Sequence, residues 1–244
     1  MFQKIILWIL SLFDSFYQKK WIKFLKRNEF KKFNLLLDIG AHKGESIELF
    51  SKNFTIKKII SFEASPINFE YLKNKIKENK KIFNNIEILI ENIALGAKNE
   101  IIEFKQFKES SSSTIKQIDE DSKYFKRKFG IINFLNNKKI YEVIEIKISK
   151  LKDYIEKNNI EKIDFMKIDT EGYEFEVLLG LEAKIQQVNI IMFEHHYDNM
   201  IKKGYTFSDI NELLTRNNFS KIYKSRMPFR KTFEYIYERK ELIN

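Results

Sequence analysis

The chain is predicted to be an α/β protein: a mostly parallel sheet with helices on both faces, preceded by an N-terminal helical segment. Three observations carry this. Short apolar runs recur along the chain, NLLLDIG at 34–40, KIISFE at 58–63, IDFMKI at 163–168 and VNIIMF at 188–193. Helix-period segments separate them, as in strand–helix–strand units. An acid and two glycines end the first run, where a doubly wound sheet turns from strand to helix and binds its ligand.

The elements follow in order. In residues 1–33, Ile5–Phe13 is apolar but far shorter than the roughly 20 residues of a membrane span. Only Lys4 precedes it and no small-residue cleavage site follows, so a signal peptide is not expected. From Phe13 a helical period sets Lys19, Lys20, Lys23, Lys26 and Arg27 on one face and Tyr17, Trp21, Phe24 and Leu25 on the other. Such a helix either lies on a membrane surface or packs on the domain or on a second copy of the chain. The aromatic content favours packing.

The strand at 34–40 is followed by a helix at 45–51, and the strand at 58–63 by a helix to about Glu78. Ser65 is the expected N-cap of that second helix, Pro66 its first-turn residue, and Ile67, Leu72 and Ile76 its apolar face. A third strand is expected at 86–90. Glu100–Phe107 and Tyr141–Ile148 alternate apolar and polar residues as half-exposed antiparallel strands do. Between them, 109–137 reads as an irregular insertion and a candidate lid. The strand at 163–168 leads to a helix at 174–186 burying Leu178, Leu181 and Ile185. A strand at 188–193, a helix at 206–217, and strands at 219–224 and 232–239 around a Pro228 turn complete the chain. The organisation is an amphipathic helical extension, 1–33, and one domain, 34–244.

Composition narrows the function. Cysteine is absent, which removes disulfides, thiolate zinc sites and cysteine nucleophiles. The net charge of +10 suits anionic partners such as nucleic acid, membrane surfaces or phosphorylated substrates. It is also what a Lys-, Ile-, Asn- and Phe-rich composition produces without selection for binding. The lysines concentrate visibly only in the first 33 residues.

The most informative segment is LLDIGAHKG, 36–44. Gly40 permits close backbone approach and Gly44 a tight helix start. The segment is not the GxGxxG of a pyrophosphate site. An acid within the loop, Asp38, suits a ligand bearing an amino group. Glu63, about 20 residues on at the end of the second strand, is placed to accept hydrogen bonds from two ribose hydroxyls. Asn92, after the third strand, either approaches an adenine ring or forms a turn.

The D-x-G-x-x-x-G spacing resembles motif I of S-adenosylmethionine-dependent methyltransferases. The whole pattern resembles the FkbM family of these enzymes, through LLLDIGAHKGESIELF, IISFEASPINFEYLK, ENIALG, SSSST, DFMKIDTEGYEFEVLLG and IIMFEHH in that order. The resemblance runs from about Leu35 to His196. It implies a Rossmann-like class I methyltransferase fold and S-adenosyl-L-methionine held around Asp38, Gly40, Ala41, His42, Gly44, Glu63, Ala64, Asn92 and Asp169. It also implies methyl transfer, usually to a hydroxyl oxygen. It does not name the acceptor.

Hydroxyl methylation needs alignment and a group to take the proton. The three histidines, His42, His195 and His196, all fall at the expected cofactor edge. His195 and His196, with Asp169, are the catalytic candidates. Ser112, Ser113, Glu171 and Glu194 are candidates for holding the acceptor. Asp169, Glu194 and His195 could together bind Mg2+ or Mn2+, a layout similar to that of metal-dependent catechol-type O-methyltransferases. Alternatively, Asp169 and Glu171 cap the following helix.

Absences exclude other classes. A cytosine C5 methyltransferase needs a cysteine, and the adenine amino methyltransferases need an Asp/Asn-Pro-Pro motif that two isolated prolines cannot form. A ribose methyltransferase tetrad would want a lysine where Glu194 and His195 stand. Nucleic acid is therefore disfavoured as substrate, and a nicotinamide dehydrogenase lacks its glycine motif. The expected acceptor is a sugar hydroxyl of a surface glycan or its lipid-linked precursor, in the cytoplasm or peripherally at the inner membrane face. A small secondary metabolite, or a membrane-associated scaffold without turnover, are the alternatives.

Overall fold

The computed structural model describes residues 17–107, 113–123, 125–126, 141–228 and 231–240. Strand β1 (Lys32–Ile39) lies inside a seven-stranded sheet, parallel to β2 (Thr55–Phe62) on one side and to β8 (Ile163–Ile168) on the other. Beyond β2 lies β3 (Glu87–Glu91), also parallel. Beyond β8 come parallel β9 (Val188–His196), antiparallel β12 (Thr232–Arg239) and β11 (Phe219–Arg226), in the order β11-β12-β9-β8-β1-β2-β3. The central strands are apolar on both sides because helices cover both faces.

Adjacent residues of β1 separate into two cores. Leu37 and Ile39 join Met166, Ile168, Ile191 and Phe193 on one face. That face is covered by α5 (Leu151–Lys157), α6 (Glu174–Leu179) and α7 (Phe207–Arg216). Leu36 joins Ile59, Phe165, Ile190 and Met192 on the other. There the cover is α1 (17–27), α2 (Glu45–Asn53), α3 (Pro66–Glu78) and the short α4 (Lys80–Phe83).

The packing alternative describes α1. Tyr17, Trp21 and Leu25 are buried against the sheet at the i, i+4 spacing of one helix face. Trp21 sits 5.3 Å from the Phe50 ring and stacks at 6.5 Å on Phe54. The Tyr17 hydroxyl donates to the Ser225 carbonyl at 2.8 Å. Lys19, Lys20, Lys23 and Arg27 face outward. The apolar run Ile5–Phe13 lies outside the described residues.

Ser65 caps α3 as expected, accepting from Asn68 N at 3.2 Å, with Pro66 at the first position. Its hydroxyl also donates to Gln106 Oε1 at 2.7 Å. Ser65→Ala removes both bonds from a buried site and should cost about 1–2 kcal/mol in denaturant titration. On the inner face of α3, Leu72 is buried and Ile76 packs on the core as expected, but Ile67 is 53% exposed and Asn68 is buried in its place. Residues 68, 72 and 76 share one face at the i, i+4 spacing, and Ile67 falls to its side.

The helix expected at 174–186 is two pieces, α6 and a 3-10 helix at Glu182–Gln187, with Gly180 between them. A Cβ on Gly180 would stand 2.1 Å from the Gly96 carbonyl oxygen, so the chain turns where two backbones touch. Leu178, Leu181 and Ile185 are buried as expected. The alternating strands β5 (Glu100–Phe107) and β7 (Tyr141–Ser149) pair antiparallel in a separate sheet with β4 (Ala94–Leu95). Most of the 109–137 insertion lies outside the described residues. Its first part is tied down by β6 (Gln117–Ile118), which pairs with β10 (Ile201–Lys202).

Candidate functional site

The parallel register brings the carboxyl ends of β1, β2 and β8 to one edge, and the loops after them interlock. Gly40 N and Ala41 N donate to the Phe62 carbonyl at 2.9 and 3.0 Å, and Asp169 N donates to Ile39 O at 2.9 Å. Gly40 has φ +82 and a Cβ there would lie 1.9 Å from the Asp169 carbonyl oxygen. Close backbone approach is thus its role, and the nearest partner is the next strand end. Gly44, at φ +83, precedes α2, and a Cβ on it would meet Leu72 at 2.8 Å.

Glu63 is 6% exposed. Its carboxylate accepts from His42 N at 2.7 Å and Ser65 N at 2.8 Å, tying the first loop to the second. Burial pushes its carboxyl up to about 7, against the pull of these two donors. Asn92 donates to the carbonyls of Glu63 and Ala64 at 2.8 and 3.3 Å, so it forms the turn that holds this loop. The His42 ring lies 3.2 Å from both carboxylate oxygens of Glu45. Ala41 is buried beneath the loop.

Asp38 is fully buried, and neither carboxylate oxygen has a hydrogen-bond donor at bonding distance. Burial lifts it to about 6, opposed by the Lys167 ammonium, 3.9 Å away, and by the neighbouring Ser46. A carboxylate with open acceptor positions under the first glycine loop, beside Glu63, fits the amino-acid and ribose ends of S-adenosylmethionine.

The second half of the site is built on β8 and β9. His196 Nδ1 pairs with Thr232 Oγ1 at 3.0 Å, and its Nε2 lies 3.5 Å from Glu171 and 3.9 Å from Glu194. Glu194 is raised well above the carboxylate range by burial, then by Asp169 and Glu234. His195 is the correction. As the neighbour of Glu194 on a strand, it points to the opposite face. There its ring packs against Tyr197, Tyr205 and Phe207, at 4.8, 5.8 and 5.9 Å, and burial lowers it to about 3. Asp169, Glu194 and His195 therefore do not converge, and among the described residues no three such groups are set to hold a metal ion.

Asp169 and Glu171 do not cap α6, whose N-cap residue is Tyr173 and which has no side-chain cap bond. The motif is organised instead by Glu174. This buried carboxylate accepts from Thr170 N, Thr170 Oγ1 and Gly172 N at 3.1, 3.2 and 3.0 Å, and from the Tyr205 hydroxyl. Glu171 and Gly172 both have positive φ within this loop. Ser113 accepts from Phe107 N at 3.0 Å, and Ser112 lies outside the described residues. Thr114, next in the chain, donates to the Glu171 carbonyl at 2.7 Å. Thr114, Lys167 and Glu174 are the residues that sequence reasoning missed. The available signal was a lysine between Met166 and Ile168 in a buried strand, and an acid spaced to reach back over its own glycine turn.

Glu63 yields a pH test. A ribose hydroxyl donating to this carboxylate would favour its ionised form and release a proton. At pH 6 a group near 7 is about nine-tenths protonated and at pH 8 about one-tenth, so S-adenosylhomocysteine affinity should rise about tenfold between them. Calorimetry should show this, and Glu63→Gln should flatten it. The ligand-free fold should show the opposite trend. The unfolded carboxyl ionises near its ordinary value while the folded one keeps its proton, so stability from this group falls as pH rises from about 4.5 through 7.

A family model, the Methyltransferase FkbM domain, matches residues 38–221. Among solved structures, Methyltransferase FkbM from Methylobacillus flagellatus KT superposes with a TM-score of 0.54 at 15% identity, covering 84% of this chain and 43% of that one. The chain thus spans less than half the length of that relative. Magnesium protoporphyrin IX methyltransferase (ChlM) from Synechocystis PCC 6803, with bound SAM, gives 0.54 at 8% identity, covering 94% and 81%. At these identities the likeness is one of fold. No curated protein matches the chain. The family match spans most of the sequence and includes all the strand ends described above, and by it the chain belongs to the FkbM family of S-adenosylmethionine-dependent methyltransferases.

Proposed function

We propose that this protein transfers the methyl group of S-adenosylmethionine to a hydroxyl oxygen, and that the acceptor is a sugar of a surface glycan or its lipid-linked precursor. The observation that carries the reading is His196 at the strand edge, its Nε2 unbonded and 3.5 Å from Glu171. The cofactor, when bound, supplies an electrophilic sulfonium methyl. The first loop and Glu63 would hold it, with Asp38 beneath. His196 takes the hydroxyl proton at Nε2. With Nδ1–H paired to Thr232 Oγ1, Nε2 is the nitrogen left to accept the proton, and Glu171 stabilises the imidazolium that forms. Glu194, whose carboxyl is raised by burial, lies 3.9 Å from His196 Nε2 on the side where the acceptor would bind.

The outward face of α1 supports the proposed location. Lys19, Lys23, Lys26 and Arg27 line an open groove of about 610 Å³ with Ile22, Leu49 and Asn53. Clustered cations of this kind suit an anionic leaflet, at about 1 kcal/mol each near the surface. Among the described residues, no helix is long and apolar enough to cross a membrane. Sedimentation with anionic vesicles at low salt should exceed that with neutral ones, and high salt should abolish the difference.

The test of activity is incubation of the full chain with methyl-labelled S-adenosylmethionine and separated glycan, lipid and small-metabolite extracts. Label in glycan or lipid-linked sugar, lost in His196→Gln, is expected. Label only in small metabolites would replace the acceptor class. Cofactor binding with no label in any fraction would point to a scaffold without turnover.

A further inference from the structure

Two strand-end carboxylates, Asp169 and Asp38, already face a cation. Lys167 lies on β8 directly beside Asp38 of β1, and its neighbour across β9 is Met192, two residues before Glu194 on the same face. Its Nζ is 3.0 Å from Asp169 Oδ2 and 3.9 Å from Asp38 Oδ1, and its side chain is only 12% exposed. Burial alone would drive an ammonium to lose its proton. Asp169, then Asp38 and Glu194, outweigh that and hold the proton on.

We propose that Lys167 is the built-in cation of this site, a positioning residue that fixes Asp169 and balances Asp38 and Glu194 so that these strand-end carboxylates do not take up a divalent metal. An unpaired buried ammonium is strongly destabilising, so a lysine here persists only because carboxylates from separate strands meet it. The same ammonium repels an incoming Mg2+ or Mn2+. Its stem rises from the middle of the sheet, between β1 and β9, and cannot swing aside without breaking both ion pairs. The lysine thereby joins Asp38, under the cofactor loop, to Asp169 and Glu194, on the side where the acceptor is proposed to bind. Its functional consequence rests on that reading, but its charge balance does not.

The test is titration of the full chain with Mn2+, followed by the resonance of the free ion and by melting temperature, with no acceptor required. The native protein and Lys167→Arg are expected to show no stoichiometric binding. Lys167→Ala is expected to gain Mn2+ affinity by about tenfold or more, because a repelling charge is gone and the Asp38 and Asp169 carboxylates are left without their cation. Mn2+ should then raise its depressed melting temperature. Stoichiometric Mn2+ binding to the native chain, abolished by Asp169→Asn, would overturn the proposal even if Lys167→Ala failed to fold. A folded Lys167→Ala that gains no Mn2+ affinity would overturn it as well. S-adenosylhomocysteine calorimetry on the same samples separates this outcome from failure of the methyltransferase reading.

Discussion

Gly40→Ala should cost the fold about 2–5 kcal/mol and abolish cofactor binding. Two effects add at this position. A left-handed φ of +82 strains any residue with a Cβ, by about 1–2 kcal/mol. The added carbon would also stand 1.9 Å from the Asp169 carbonyl oxygen and 2.8 Å from its carbon, and overpacking of this kind costs typically 1–3 kcal/mol or more. No flexible side-chain end can yield there. Asp169 N is bonded to Ile39 O, Gly40 N to Phe62 O, and both loops would have to move together. Gly204 is the control: its φ is +80, but nothing lies within 4 Å of a Cβ there, so Gly204→Ala should carry the strain alone. Denaturant unfolding of the two variants isolates the contact. If they differ by less than about 1 kcal/mol, β1 and β8 do not meet as described.

His196→Gln should lower methyl transfer about 10²–10⁴-fold, with S-adenosylhomocysteine affinity little changed. The imidazole lies near both Glu171 and Glu194, whereas the residues proposed to hold the cofactor are Asp38, the 40–44 loop and Glu63. Glutamine keeps a side-chain contact with Thr232 but cannot accept and release a proton. His195→Gln should behave differently. It places an amide among Tyr197, Tyr205 and Phe207, so it should reduce stability more than turnover. Single-turnover transfer to the labelled acceptor, with melting curves for both variants, makes the comparison. A larger rate loss for His195→Gln than for His196→Gln would reverse the assignment of the base.

Much of the edge formed by the ends of β1 and β2 was legible because its signals are local. An acid and glycine after an apolar run, a second acid at the end of the next strand, and Ser65-Pro66 before a helix each act within a few residues of chain. The acceptor side was less legible. His195 and His196 are adjacent in sequence, and strand geometry sends adjacent side chains to opposite faces. Nothing local says which face carries the site. Glu174 was hidden for a related reason: its partners are the backbone N–H groups of its own loop, and their orientation depends on the positive φ of Glu171 and Gly172.

By itself the sequence determined the alternation of strands and helices, the two-sided burial of the central strands, the special conformations at Gly40 and Gly44, and the apolar face of α1. Those follow from side-chain period and from the conformational freedom of glycine, which are properties of short segments. Only the tertiary structure decided that Gly180 would break a helix against Gly96, that His195 would face an aromatic core, and that Lys167 would stand among Asp38, Asp169 and Glu194. Each depends on the register between strands far apart in the chain. A shift of one residue reverses the face of every side chain on a strand.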